Sequence, residues 1–177
     1  MPNNVLITGP PRSGKTTVLE RLVDRLRAEG LTLAGVWSPE VREGGNRVGF
    51  DIVDLASGER AVLARKEREK GPQVGSYRVD VPATEALCER AFEAVESADA
   101  VVIDEIAPME VTTDAFTEGV RTALDSPTPV AAAVHYRATS GFFGAVKDRD
   151  DTTTFEVTED SRDELPDRLA RLVLDRV

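Results

Sequence analysis

The sequence predicts a layered α/β domain with a mostly parallel sheet and an antiparallel β-hairpin insertion. Three observations carry this expectation. Apolar runs of strand length alternate with segments of helical period along most of the chain, the pattern of right-handed strand–helix–strand crossovers. One run, Ala100 to Ile103, is apolar without alternation, as a strand buried on both faces would be. Between Leu31 and Leu63 the texture changes to short alternating runs divided by glycine turns, the mark of antiparallel hairpins.

The first element is the β-branched run Val5 to Thr8, closed by Gly9. A helix follows from Lys15, with Val18, Leu19, Leu22, Val23 and Leu26 on one face and Gly30 placed as its left-handed cap. The insertion, approximately residues 33–64, reads as Leu33 to Trp37, Arg47 to Leu55 and Ala61 to Leu63, with Glu43-Gly44-Gly45-Asn46 and Ala56-Ser57-Gly58-Glu59 as its turns. Residues 65–75, RKEREKGPQVG, are charged and lack an apolar period, which predicts a mobile surface loop. A short strand is expected around Tyr77 to Val81, then a helix from Ala83 to Glu96 through Leu87, Ala91, Phe92 and Val95. After the strand at Ala100 come a helix carrying Phe116, Val120 and Leu124, a strand at Pro129 to Val134, a strand near Phe155 to Val157, and a terminal helix with Leu165, Leu169, Leu172 and Val173.

At 177 residues the chain fits a single domain, residues 1–177, long enough to bury roughly 70% of its unfolded surface. Hydrophobic residues make up 41% and charged residues 31%, a globular balance. The net charge is −10, and the cations are 18 arginines and four lysines. Such a surface repels a phosphodiester backbone, so no nucleic-acid partner is expected. It also suits a high-salt cytoplasm. The one cysteine, Cys88, excludes an internal disulfide and reads as a small core residue, the alternative being a reactive thiol. No signal peptide and no apolar stretch of membrane-spanning length is present, so the expected location is the cytoplasm, without a membrane partner. The sequence leaves the oligomeric state open; a monomer is compatible with it.

Chemistry concentrates first in Gly9-Pro10-Pro11-Arg12-Ser13-Gly14-Lys15-Thr16, which matches G-x-x-x-x-G-K-[ST] after a strand and at the opening of a helix. Backbone N–H groups must converge there on phosphate oxygens, which requires glycines that allow close approach. Lys15 would reach the β- and γ-phosphates, the Thr16 hydroxyl would ligate magnesium, and Thr17 follows on the same helical turn. The second concentration is Val101, Val102 and Ile103 leading to Asp104 and Glu105, an apolar strand ending in two carboxylates at the edge where parallel strands form their ligand crevice. Asp104 reads as the second magnesium partner, through water, and Glu105 as the base that orients and deprotonates an attacking water. The implied ligand is a nucleoside triphosphate with Mg2+.

With these motifs, three further stretches make the chain resemble the cancer-related nucleoside-triphosphatase family of small P-loop NTPases. They are the segment from Ser38 to Arg65, GPQVGSYRVD from Gly71, and VKDRDDTTTFEVTEDSRDEL running to Leu165, beside DEIAPME from Asp104 to Glu110. The resemblance covers nearly the whole chain. It implies a three-layer, RecA-like P-loop NTPase core, slow turnover and broad acceptance of ATP, GTP, CTP and UTP, with Gly9 to Thr16, Asp104 and Glu105 as nucleotide sites. The chain departs from the family's pattern at Arg12, Ser76, Ala107 and Ser161.

Weaker candidates remain. Arg42 and Arg47 flank a glycine turn that could fold over the crevice and supply an arginine finger, or they pair with Glu40 or Glu43; Arg149 and Arg162 are lesser candidates. His135 follows a strand and either contacts a ligand or caps the strand. Trp37 and Phe50 either stack on a base or belong to the core. Hydrolysis to the diphosphate and phosphate is the leading function, with Lys15 and Glu105 as its catalytic residues. A nucleotide-dependent small-molecule kinase uses the same loop and metal, and a nucleotide-regulated binding module is the nonenzymatic alternative. No guanine-specific Asn- or Thr-Lys-x-Asp motif is present.

Overall fold

The computed structural model describes residues 3–177. The chain runs from β1 (Asn4–Thr8) through the glycine loop into α1 (Lys15–Ala28), then β2 (Leu33–Trp37), β3 (Glu40–Glu43), β4 (Asn46–Asp54), β5 (Arg60–Arg65), β6 (Gln73–Val74) and β7 (Tyr77–Val79). It continues as α2 (Val81–Glu93), β8 (Ala100–Ile106), α3 (Asp114–Asp125), β9 (Val130–Val134), α4 (Gly141–Lys147), β10 (Thr152–Glu156) and α5 (Leu165–Leu174). One sheet gathers the ten strands in the order β10-β1-β9-β8-β2-β4-β5-β7-β6, with β3 on β4. The five strands from β10 to β2 pair in parallel, and every pairing beyond β2 is antiparallel.

Parallel strands need crossover helices, and these cover both faces. On one face Leu22 and Leu26 of α1 meet Leu169 and Val173 of α5 over Val5, Ile7 and Val102. On the other, Leu87 and Ala91 of α2 meet Phe116, Val120 and Leu124 of α3 over Leu6, Val101 and Ile103. Alternate residues of one strand thus feed two cores, which explains why β8 and β9 are apolar throughout. The expected three-layer core with an antiparallel addition is what forms.

Several expectations shift in detail. Leu33–Trp37, expected in the antiparallel insertion, pairs antiparallel with β4 only at Val36 and Trp37 and is otherwise the fifth parallel strand, in register with β8 from Leu33 opposite Ala100 to Trp37 opposite Asp104. Gly35 makes this possible: its φ is +125°, and a Cβ there would lie 1.9 Å from the Val102 carbonyl oxygen. The antiparallel part proper begins at Glu40. The charged stretch after Arg65 is not free of order: Arg68 donates to Asp80 at 3.1 Å, Arg78 donates to the Gly71 carbonyl at 2.9 Å, and Gln73–Val74 forms a strand. Asp80 also accepts from the Ala83 N–H at 3.1 Å, so one carboxylate both anchors that stretch and caps α2, which starts at Val81 rather than Ala83. The short helix α4 has no counterpart in the sequence expectations.

Candidate functional site

The crevice lies where β1 and β8 end. After β1, the chain turns through Gly9 to Gly14, whose φ of +104° only glycine adopts freely. Arg12 is also left-handed, at φ +67°, a conformation that costs a side-chain-bearing residue about 1 kcal/mol. Glycine would hold that position without the cost. The Ser13 N–H closes the turn on the Pro10 carbonyl at 3.1 Å, and no side chain caps α1. The first N–H groups of an uncapped helix are unpaired donors with a positive dipole behind them, which is the chemistry of an anion cradle.

Asp104 and Glu105 are adjacent in a strand, so regular pleating would send them to opposite faces. The pairing of β8 with β9 is instead irregular between Ile103 and Ile106. A bulge of this kind re-aims side chains, and here both carboxylates meet the phosphate loop. Glu105 Oε2 lies 2.8 Å from Lys15 Nζ, with both side chains partly buried. Asp104 lies beside the Thr16 hydroxyl, which favours its charged form. Burial pushes the Asp104 carboxyl up to about 6, helped by the Glu105 charge and opposed by Thr16 and Lys15. Val101, Val102 and Ile103 are buried strand core that carries these carboxylates to the edge. Among the described residues, no three or more His, Cys, Asp and Glu side chains gather as a metal cluster.

Arg42 and Arg47 are taken up by contacts within the antiparallel strands. Both pair with Glu40, at 3.0 and 3.1 Å; Arg42 also donates to the Gly45 carbonyl, and Arg47 to the Tyr77 hydroxyl at 2.8 Å while covering the Phe50 and Tyr77 rings. Arg149 is held by Asp151 and Asp125. Arg162 is different, since its Cδ would stand 3.5 Å from a Cβ on Gly14. It shares a recess of about 260 Å³ with Gly14, Thr17 and Val18 on the α1 side of the loop.

A larger cavity, about 600 Å³, opens on the other side, from Thr16, Asp104 and Glu105 outward to the antiparallel strands. His135 stands in its wall, its N–H bonded to the Ile106 carbonyl at 3.0 Å. Glu110, just after β8, is 5% exposed and lines the same cavity. Burial pushes its carboxyl up to about 8, reinforced by the charges of Glu105 and Asp104, which favours its neutral form near pH 7. The Ser38 hydroxyl lies against it without a hydrogen bond of good geometry.

Sequence reasoning missed Glu110 as a cavity residue, Ser38, and Lys147, whose ammonium binds the carbonyls of His135, Tyr136 and Ala138 at 2.7, 3.2 and 2.6 Å. Burial, together with the charge of Lys15, lowers the Lys147 pKa, which puts this clamp within electrostatic reach of the crevice. Cys88 is buried, its thiol pushed up to about 12 by burial first and then by Glu110 and Glu89, so it is core rather than a reactive thiol.

A glycine loop between strand and helix, facing two carboxylates at the end of a neighbouring parallel strand, defines the class: a phosphate-loop α/β protein. The family model described as NTPase matches residues 4–170. The chain is 44% identical over 176 residues to nucleoside-triphosphatase THEP1 of Methanopyrus kandleri, covering 99% of this chain and 97% of that one. It is 43% identical to nucleoside-triphosphatase THEP1 of Thermofilum pendens, over 95% and 93% of the two chains. Among solved structures, a human cancer-related nucleoside triphosphatase superposes with a TM-score of 0.82 at 31% identity, covering 98% of each chain. The chain belongs to this NTPase family.

Proposed function

We propose that the protein hydrolyses nucleoside triphosphates to the diphosphate and phosphate, with magnesium. The observation that carries this is the 2.8 Å pair between Lys15 and Glu105, which joins two motifs 90 residues apart into one site. Without nucleotide, Glu105 neutralises Lys15. When phosphate oxygens enter the cradle they take over the ammonium, and Glu105 is released to orient a water and accept its proton. Lys15 and the loop N–H groups then neutralise the charge that develops on the γ-phosphoryl oxygens.

The Thr16 hydroxyl and the Asp104 carboxyl fit magnesium, which commonly takes one or two protein ligands and completes its shell with phosphate and water oxygens. The bound metal would neutralise β- and γ-phosphate charge. The recess beside Gly14 and Arg162 is where the base side of the nucleotide would lie. Arg42 and Arg47 could serve as transition-state cations only by leaving Glu40. The net charge of −10 and the buried single cysteine support a cytoplasmic protein without a nucleic-acid partner.

The test is phosphate release from ATP, GTP, CTP and UTP, with magnesium and with EDTA, by the wild type and Glu105→Gln. Magnesium-dependent release from all four, lost in the variant, supports the reading. A wild type that releases no more phosphate than Glu105→Gln contradicts it.

A further inference from the structure

An attacking water occupies about 30 Å³, yet the space in front of Glu105 is about 600 Å³. That is the size range of small-molecule sites. Its walls are built for something other than solvent. Trp37 and Phe50 supply flat apolar faces, and Phe50 is fixed by an edge contact with Tyr77 at 5.4 Å between ring centroids. Met109 closes one side with an adaptable apolar surface. Two polar groups stand among these walls with hydrogen-bonding capacity to spare: the Ser38 hydroxyl, buried and without a partner, and the 5% exposed carboxyl of Glu110. A partnerless buried hydroxyl costs about 1–3 kcal/mol, a cost that a ligand hydrogen bond would remove.

Charge narrows the ligand further. The lining holds the carboxyl groups of Glu40, Asp104, Glu105 and Glu110 and one histidine, but no lysine or arginine. Beyond the Thr16–Glu105 end, where Lys15 stands beside Glu105, the lining offers a second anionic molecule no cation to pair with. A neutral, flat, hydroxyl-bearing molecule needs none. Protonated Glu110 can both donate and accept, as the edge of a heteroaromatic ring requires.

We propose that this cavity binds an uncharged nucleoside as a second substrate and presents its sugar hydroxyl to the γ-phosphoryl group, so that the protein also acts as a nucleoside phosphotransferase. The inference rests on the nucleotide reading above and goes beyond it. The hydroxyl oxygen bonds to the γ-phosphorus while the bond to the β,γ-bridging oxygen breaks. That electron pair leaves on the nucleoside diphosphate, and the hydroxyl proton passes to Glu105. The products are a nucleoside diphosphate and a nucleoside monophosphate.

The full chain is incubated with magnesium and ATP labelled in the γ-phosphoryl group, alone and with millimolar adenosine, guanosine, cytidine or uridine. ADP, free phosphate and labelled nucleoside monophosphate are quantified together. The expected result is labelled monophosphate from at least one nucleoside, with ADP exceeding phosphate by the same amount. Met109→Trp, which fills the cavity, lowers that product at least tenfold, and Ser38→Ala raises the nucleoside KM about tenfold through one lost hydrogen bond. Equal ADP and phosphate with all four nucleosides overturns the acceptor site and leaves hydrolysis standing. No ADP from either route overturns the nucleotide reading and this inference with it.

Discussion

In the parallel half of the sheet, the loop after β1 and the end of β8 hold the groups proposed to meet phosphate and metal. The antiparallel half, β3 to β7, holds none of them. Its contribution is a wall: Phe50 and Leu63 line the far side of the 600 Å³ cavity, and Glu40 stands at its rim. The halves are also held together differently. Apolar clusters cover both faces of the parallel strands, whereas the antiparallel ones join only one of those clusters, through Ile52, Leu63, Tyr77 and Val79, and are crossed besides by arginine–carboxylate pairs, with Asp51 taking Arg65 at 2.6 Å and Arg60 at 2.8 Å. Burial opposes the Asp51 charge, but those two arginines hold its carboxyl below the usual range. The proposed phosphate site and the wall that faces it thus sit on one sheet and share one apolar cluster, with ion pairs added only on the antiparallel side.

The sharpest way to separate the halves is to disable the machine alone. Lys15→Ala removes the cation proposed to face the γ-phosphoryl group and should lower phosphate release by about 10³-fold, with an unchanged thermal unfolding midpoint. A lost fold would break the comparison. Next comes the seam. Gly35→Ala places a Cβ 1.9 Å from the Val102 carbonyl at positive φ, forcing β2 off β8. Denaturant unfolding should show a loss of about 3 kcal/mol.

The cavity wall is probed by Glu110→Gln. The folded-state pKa of Glu110, about 8, lies above its ordinary 4.5, so the folded protein holds a proton that the unfolded chain releases. Its unfavourable contribution is therefore absent below pH 4.5 and grows through that window, at roughly 1.4 kcal/mol per pH unit at the steepest. Wild-type stability should fall relative to Glu110→Gln between about pH 4.5 and 8, measured as denaturant midpoints across pH. Smallest is Arg47→Ala, which removes a half-exposed pair to Glu40 and a ring contact. It should cost under about 1 kcal/mol and change phosphate release less than about threefold. A much larger fall in release would make Arg47 part of the machine.

The phosphate loop and the Asp104–Glu105 strand end were legible because each is local: a strand, a turn of fixed length and the residues beside it. The apolar period of α1, α2, α3 and α5 was legible for the same reason. What escaped depends on distance along the chain. β2 looked antiparallel because Leu33–Trp37 precedes glycine turns, and only its register with β8 reveals a parallel partner. The seven-residue α4, GFFGAVK, carries two glycines and is too short for a period to emerge. Arg42 and Arg47 could be placed near a turn, but not on Glu40 rather than over the crevice. Glu110 showed only as an acidic residue after a proline turn; its burial beside Ser38 arises from the meeting of β2 and β8.

On the proposed mechanism, Glu105 holds Lys15 only until phosphate arrives and then serves as the base. The measurement that tests it most directly is the affinity of Glu105→Gln for magnesium ATP by calorimetry, taken beside its rate of phosphate release. Binding at least as tight as wild type is expected, because the competing carboxylate charge is gone, with release reduced by about 10²–10⁴-fold. Binding lost together with release, or release left intact, would contradict it.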